Sequence, residues 1–179
     1  MPETTYSPDI ARVAKTTQSA RIDVTQVAPE AYQAMAGLGK YVRQSGLETK
    51  LLDLMRMRSS QINGCAYCID MHSKDARAAG ETEQRLYSLD AWRETPFYTD
   101  RERAALAWTE AVTLVSQGHV PDEVYNLVRK QFSEKEIVDL TLAVAEINSW
   151  NRIAISLRAV PGIYQPASHA KAATAPRAH

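Results

Sequence analysis

Apolar residues recur along this chain at helical intervals and nowhere alternate over enough positions to make a strand. Tyr32, Met35, Leu38 and Val42 follow Pro29, which predicts a helix with the proline at its first position and Ser45-Gly46 at its close. Leu47, Leu51, Leu54 and Met55 stand at i, i+4, i+7 and i+8. That spacing predicts a second helix to about Ser60, with Asp53, Arg56, Met57 and Ser60 on its other side. Gln61-Ile62-Asn63-Gly64 then makes a corner into a third helix, which Gly80 stops. Leu86 and Leu89 mark a helix from Thr82 to about Trp92, interrupted by Arg93-Glu94-Thr95-Pro96. Thr99 to Glu102 and Ser133 to Glu136 each match a capping box, where a hydroxyl and a carboxylate satisfy each other's backbone amides. The first opens a helix ended by Gly118; Pro121-Asp122-Glu123 opens another through Gln131. The second box starts the run from Ile137 to Val160, apolar on nearly all sides, which predicts a central packed helix or one buried between subunits.

The chain therefore reads as all-α, with roughly seven helices around one core. Residues 1–20 lack periodicity and read as a flexible extension, 21–164 as a single helical domain, and 165–179, rich in Ala, Lys, His and Pro, as a disordered tail. At 179 residues and 45% hydrophobic, the chain can bury a core without disulfide staples. Lys plus Arg and Asp plus Glu are equal at 21 each, and no basic stripe stands out, so neither nucleic acid nor an anionic membrane is an expected partner. The N-terminus lacks the charged start and apolar run of a secretory signal, and no apolar window is long enough to span a bilayer. A cytoplasmic location is the expectation that follows.

Both cysteines fall in one short stretch, Asn63-Gly64-Cys65-Ala66-Tyr67-Cys68-Ile69-Asp70-Met71-His72. On a helix, Cys65, Cys68, Ile69, His72, Ala76 and Ala79 share one face, while Tyr67, Asp70, Lys74 and Arg77 take the other. Cys65 stands a turn before Cys68 and Cys68 a turn before His72, so the sulfurs can approach to bonding distance with an imidazole beside the second. A thiolate near the start of a helix is stabilised by unpaired amides and the dipole. In a reducing compartment such a pair points to redox chemistry or metal binding ahead of a structural role. Zinc would need a fourth ligand, which only folding could bring from Asp53 or His119. By helical phase Tyr67 points away from the stripe. Asn148 and Asn151 read as side chains that satisfy buried backbone or cap a neighbouring turn, His119 as a structural corner residue, and His169 and His179 as tail residues.

From Asp53 through Gly80, the sequence resembles the alkyl hydroperoxidase D branch of the carboxymuconolactone decarboxylase family. The likeness extends from Glu30-Ala31-Tyr32-Gln33-Ala34-Met35 to Trp150-Asn151-Arg152-Ile153-Ala154, or about Val27 to Val160. It implies an all-helical fold, assembly as a trimer or hexamer, and peroxide reduction by a Cys-x-x-Cys-x-x-x-His helix. It also implies roles: Cys68 as the peroxidatic thiol, His72 as its base, Cys65 as the resolving thiol, and an acid twelve residues before Cys65, here Asp53, as the relay. The family commonly has glutamate at this last position, and the best-studied type has a second histidine where Tyr67 stands. No bound cofactor or metal is implied. An external dithiol, a lipoyl group or a thioredoxin-like carrier protein, would return the disulfide to thiols. Spacing alone leaves the two cysteines exchangeable in role. A general disulfide oxidoreductase, a decarboxylase without redox chemistry and a metal-bearing scaffold remain alternatives.

Overall fold

The computed structural model describes residues 19–166, and the expectations for the two termini, His169 and His179 included, otherwise lie outside the described residues. Every regular element among them is helical: α1 (Val24–Val27), α2 (Pro29–Gln44), α3 (Thr49–Asn63), α4 (Ala66–Ala78), α5 (Glu83–Tyr87), a 3-10 helix (Leu89–Glu94), α6 (Asp100–Thr113), α7 (Val115–Gly118), α8 (Asp122–Arg129) and α9 (Glu134–Leu157). Pro29 opens α2 as its spacing predicts, and both capping boxes form, with Thr99 and Ser133 accepting from the amides of Glu102 and Glu136.

The helix expected from Thr82 to Trp92 is two elements instead. Leu86, Leu89 and Trp92, all buried, recur every three residues, a spacing that lines up on a 3-10 helix and drifts off one face of an α-helix. The helix expected to run to Gly118 breaks at Leu114 (φ −98°, ψ 27°), leaving α7 as a single turn. The short α1 carries no apolar signal because it buries nothing; Asp23 caps it by accepting from Thr25 N at 2.9 Å.

Helix α3 lies at the centre, packed on α4, α6 and α9. Its Leu51, Leu52 and Met55 join Val42, Leu140, Val144 and Trp108 in one core cluster, and its Leu54 and Met57 join Leu86, Leu89, Trp92 and Leu106 in another. Each of these large side chains contributes about 1.5–3 kcal/mol by leaving water. Because α3 is buried on nearly all sides, its polar residues Asp53, Arg56, Ser59 and Ser60 are also enclosed and find partners on α3 itself, α6 and α9. Helix α9, expected to be apolar all round, likewise buries polar Asp139, Glu146, Asn148 and Asn151.

Candidate functional site

The turn between α3 and α4 fixes the first cysteine. Gly64 adopts φ 66°, ψ 33°, a left-handed conformation that glycine enters without the Cβ penalty. Its N–H donates to Gln61 O at 3.1 Å and that of Cys65 to Ser60 O at 3.0 Å, the paired bonds of a Schellman ending. Cys65 is thereby at once the residue that closes α3 and the N-cap of α4. Cys65 is 1% and Cys68 2% exposed, because α9 covers the turn. Both are free thiols.

The pair shares its proton unequally. Cys68 donates toward the Cys65 sulfur, and the Tyr67 and Cys68 amides and the Asn151 side chain also favour a Cys65 anion; together they bring Cys65 down to about 7 against the cost of burial. Cys68 is driven up by the adjacent Cys65 sulfur and by burial.

Around the sulfurs lies a network of neutral polar groups. Asn63 Nδ2 donates to Asn148 Oδ1 at 2.9 Å and to Asn151 Oδ1 at 2.8 Å; Asn151 Nδ2 donates to Ser60 Oγ at 3.1 Å. Asn148 Nδ2 does satisfy a backbone group, Val144 O at 2.9 Å, and also donates to Thr113 Oγ1 at 3.1 Å. Among the described residues, the Asn151 side chain bonds the side chains of Asn63 and Ser60 and no backbone group.

Farther along α3 and α4 the partners become charged. Arg56 lies 3.8 Å from Asp53 Oδ1 through Nη1 and 3.5 Å from Glu146 Oε2 through Nη2. Neither that Nη2 nor that Oε2 completes a hydrogen bond, although both are sealed from solvent. Trp150 Nε1 donates to Glu146 Oε1 at 3.0 Å, and Gly39 leaves room for this oxygen, since a Cβ there would come within 2.9 Å of it. Asp53 is buried rather than solvated. Burial pushes it up to about 6, Arg56 opposes, and Asp75 and Glu81 add repulsion. His72, on the buried face with Cys68, is drawn down to about 3 by burial and then by Arg56, so it is neutral at pH 7. Among the described residues no hydrogen bond joins Asp53 to His72, and the charged group that acts on both is Arg56.

The remaining candidates sit apart. His119 occupies the corner after α7 at φ 56°, ψ −156°, in the wall of a 320 Å³ hollow with Arg93, Glu110 and Val124. A 570 Å³ cleft lined by Met57, Gln61, Ile69, Ser73, Leu86 and Tyr87 borders α4, but neither sulfur lines it. Among the described residues no three His, Cys, Asp or Glu side chains are grouped to hold a metal. Nor is any described helix long and apolar enough to cross a membrane.

Known proteins resemble this chain over most of its length. The model of the carboxymuconolactone decarboxylase family matches residues 29–111. The uncharacterized protein YdfG of Bacillus subtilis is 48% identical over 139 residues, covering 78% of this chain and 95% of the relative. A crystal structure from Agrobacterium tumefaciens, of a protein of unknown function described as a candidate antioxidant defence protein AhpD, is 42% identical. It superposes with a TM-score of 0.79 over 82% of this chain and all of that one. The apo debrominase Bmp8 has the same fold at 24% identity, with a TM-score of 0.69 over 75% of this chain and 73% of its own.

Proposed function

Because the chain belongs to the carboxymuconolactone decarboxylase family, in its alkyl hydroperoxidase D-like branch, we propose that it is a thiol-dependent peroxidase that cycles Cys65 and Cys68 between dithiol and disulfide. The observation that carries this reading is the pair itself: two free, buried thiols at one helix N-terminus, Cys65 at the N-cap of α4 and Cys68 in its first turn. The family resemblance makes Cys68 the first to react. In our reading the order is the reverse, Cys65 attacking and Cys68 resolving, because the Cys68 thiol and the amides at the start of α4 favour the anion at Cys65.

The Cys65 thiolate takes one peroxide oxygen, an S–O bond forms, the O–O bond breaks, and the alkoxide leaves as alcohol with the proton that Cys68 holds. Cys68 then attacks the sulfenic sulfur, the S–S bond forms, and hydroxide leaves as water on receiving a proton delivered from solvent by way of His72. Two thiols give up two electrons and one peroxide accepts them. Held to about 3 by burial and Arg56, His72 stays neutral at pH 7, so in our reading it relays the proton from one ring nitrogen to the other without becoming an imidazolium, while Asp53 lies against Arg56 and not the ring. An external dithiol, lipoyl or thioredoxin-like, returns the disulfide to thiols. A homotrimer or homohexamer in the cytoplasm suits this cycle: a reducing compartment keeps the thiols free, and Val138, Ile155 and Tyr87 offer exposed apolar surface for association.

Hydroperoxide turnover with a panel of dithiol donors tests the proposal. Cys65→Ser and Cys68→Ser are each expected to lose at least about a thousandfold in turnover. Full activity in both would refute the cycle and favour a decarboxylase-type reaction without redox chemistry.

A further inference from the structure

Both sulfurs are sealed, so a reagent meets them only if some part of their cover moves. Helix α3 cannot move without disrupting both core clusters, whereas α9 is the cover itself. Burial along α9 stops at Asn151: from Arg152 to the helix end at Leu157, none of the residues is fully buried. Apolar packing therefore does not hold this end down, and a helix end without core contacts opens locally at little cost. Hydrogen bonds from two flanking segments hold it instead. Arg21, ahead of α1, donates from its backbone N to Leu157 O at 2.8 Å and from Nη1 to Ser156 O at 3.1 Å, satisfying carbonyls that a helix end leaves unpaired. On the other side the chain turns at Arg158, at φ 56° and ψ 56°, and residues 159–166 run without regular structure onto α4.

There a clasp fastens them. Gly162 N donates to Asp70 Oδ2 at 3.0 Å, Lys74 Nζ donates to Tyr164 O at 3.0 Å, and Tyr164 Oη donates to Asp75 Oδ1 at 2.7 Å. Lys74 also donates to Asp70 Oδ2 at 2.9 Å, which ties two of these bonds into one group. The Lys74 and Asp70 side chains are 30% and 25% exposed, so water competes for their bonds and the clasp can part without disturbing the core.

We propose that residues 159–166 form a strap that, fastened to α4, holds the end of α9 over Cys65 and Cys68 and, released, lets α9 lift so that an oxidant or a reducing dithiol reaches the sulfurs. The strap thereby sets how often the pair is open to reagents. The inference rests on the reading of Cys65 and Cys68 as the reactive pair.

The test is the rate at which the aromatic disulfide dithiobis(nitrobenzoate) reacts with the reduced full-length protein under native conditions. Tyr164→Phe keeps the ring and the net charge and removes only the bond to Asp75; it is expected to react about fivefold faster than wild type. Asp70→Ala removes an acceptor of both Gly162 and Lys74 and is expected to react faster still. Thr109→Ala removes a fully buried hydroxyl on α6 that donates to Ala105 O at 2.7 Å; it lowers the stability of the whole fold without touching the strap, and is expected to leave the rate in place. Wild-type rates in both strap variants would overturn the inference, as would an equal acceleration in Thr109→Ala, which means that the thiols react only through global unfolding. The reagent reads access alone, so a peroxide assay without turnover would sink the peroxidase reading and leave this one standing.

Discussion

Helices α3, α4 and α9 enclose two polar regions of opposite character. At the α3–α4 turn the buried groups are neutral amides and hydroxyls around two thiols, each amide with its oxygen or nitrogen matched to a partner. Toward the other end of α4 the buried groups are Asp53, Arg56, His72 and Glu146, with an Arg56 nitrogen and a Glu146 oxygen left unmatched. The neutral end fixes geometry, because hydrogen bonds between amides are directional and complete. The charged end fixes protonation, because desolvation and a few charges decide which groups ionise. The two thiols are set among neutral amides and hydroxyls, while the histidine a turn away is kept uncharged by burial and Arg56.

The largest effect should come from breaking the charged end. Arg56→Met leaves Glu146 and Asp53 buried without their cation, and is expected to cost about 3–5 kcal/mol in chemical denaturation. Replacing Arg56 and Glu146 together with apolar residues should recover most of this loss. A loss under about 1 kcal/mol in Arg56→Met would place the charged end on a par with a surface ion pair and erase the contrast.

A smaller effect lies in the pH dependence of stability. The folded value of His72, about 3, lies below its ordinary 6.5, so folding favours the neutral ring. Its contribution is present above pH 6.5 and is lost as pH falls toward 3, since only the unfolded chain takes up the proton. Asp53 runs the other way. Its folded value, about 6, lies above the ordinary 3.8, so its contribution is present below pH 3.8 and is lost as pH rises through 6. Relative to wild type, His72→Gln should therefore gain stability on acidification below pH 6.5, by up to about 1.4 kcal/mol per pH unit. Asp53→Asn should lose relative stability as pH falls from 6 to 3.8. Parallel stability curves for the three proteins would show that neither group is desolvated on folding.

The two regions also differ in how far the sequence revealed them. The helix carrying Cys65, Cys68 and His72 was legible because side chains three and four residues apart must share a face. Periodicity likewise placed the main helices, and the capping boxes marked the starts of α6 and α9. It could not reveal that α9 roofs the turn, which buries Cys65 and brings Asn151 to Asn63, 88 residues away in sequence. Nor could it foresee that Asp53 meets Arg56 on its own helix. A carboxylate opposite an apolar stripe is equally consistent with solvent or a buried partner, and here the extra burial of α3 decides.

The account stands on whether the two sulfurs act as a pair, and the most direct measurement is a thiol count before and after one equivalent of an organic hydroperoxide, in the fully reduced protein. Free thiols are expected to fall from two to zero per chain, with a mass decrease of about 2 Da that an added dithiol reverses. Two thiols still free after exposure, or a single cysteine carrying added oxygen while the other stays reduced, would contradict it.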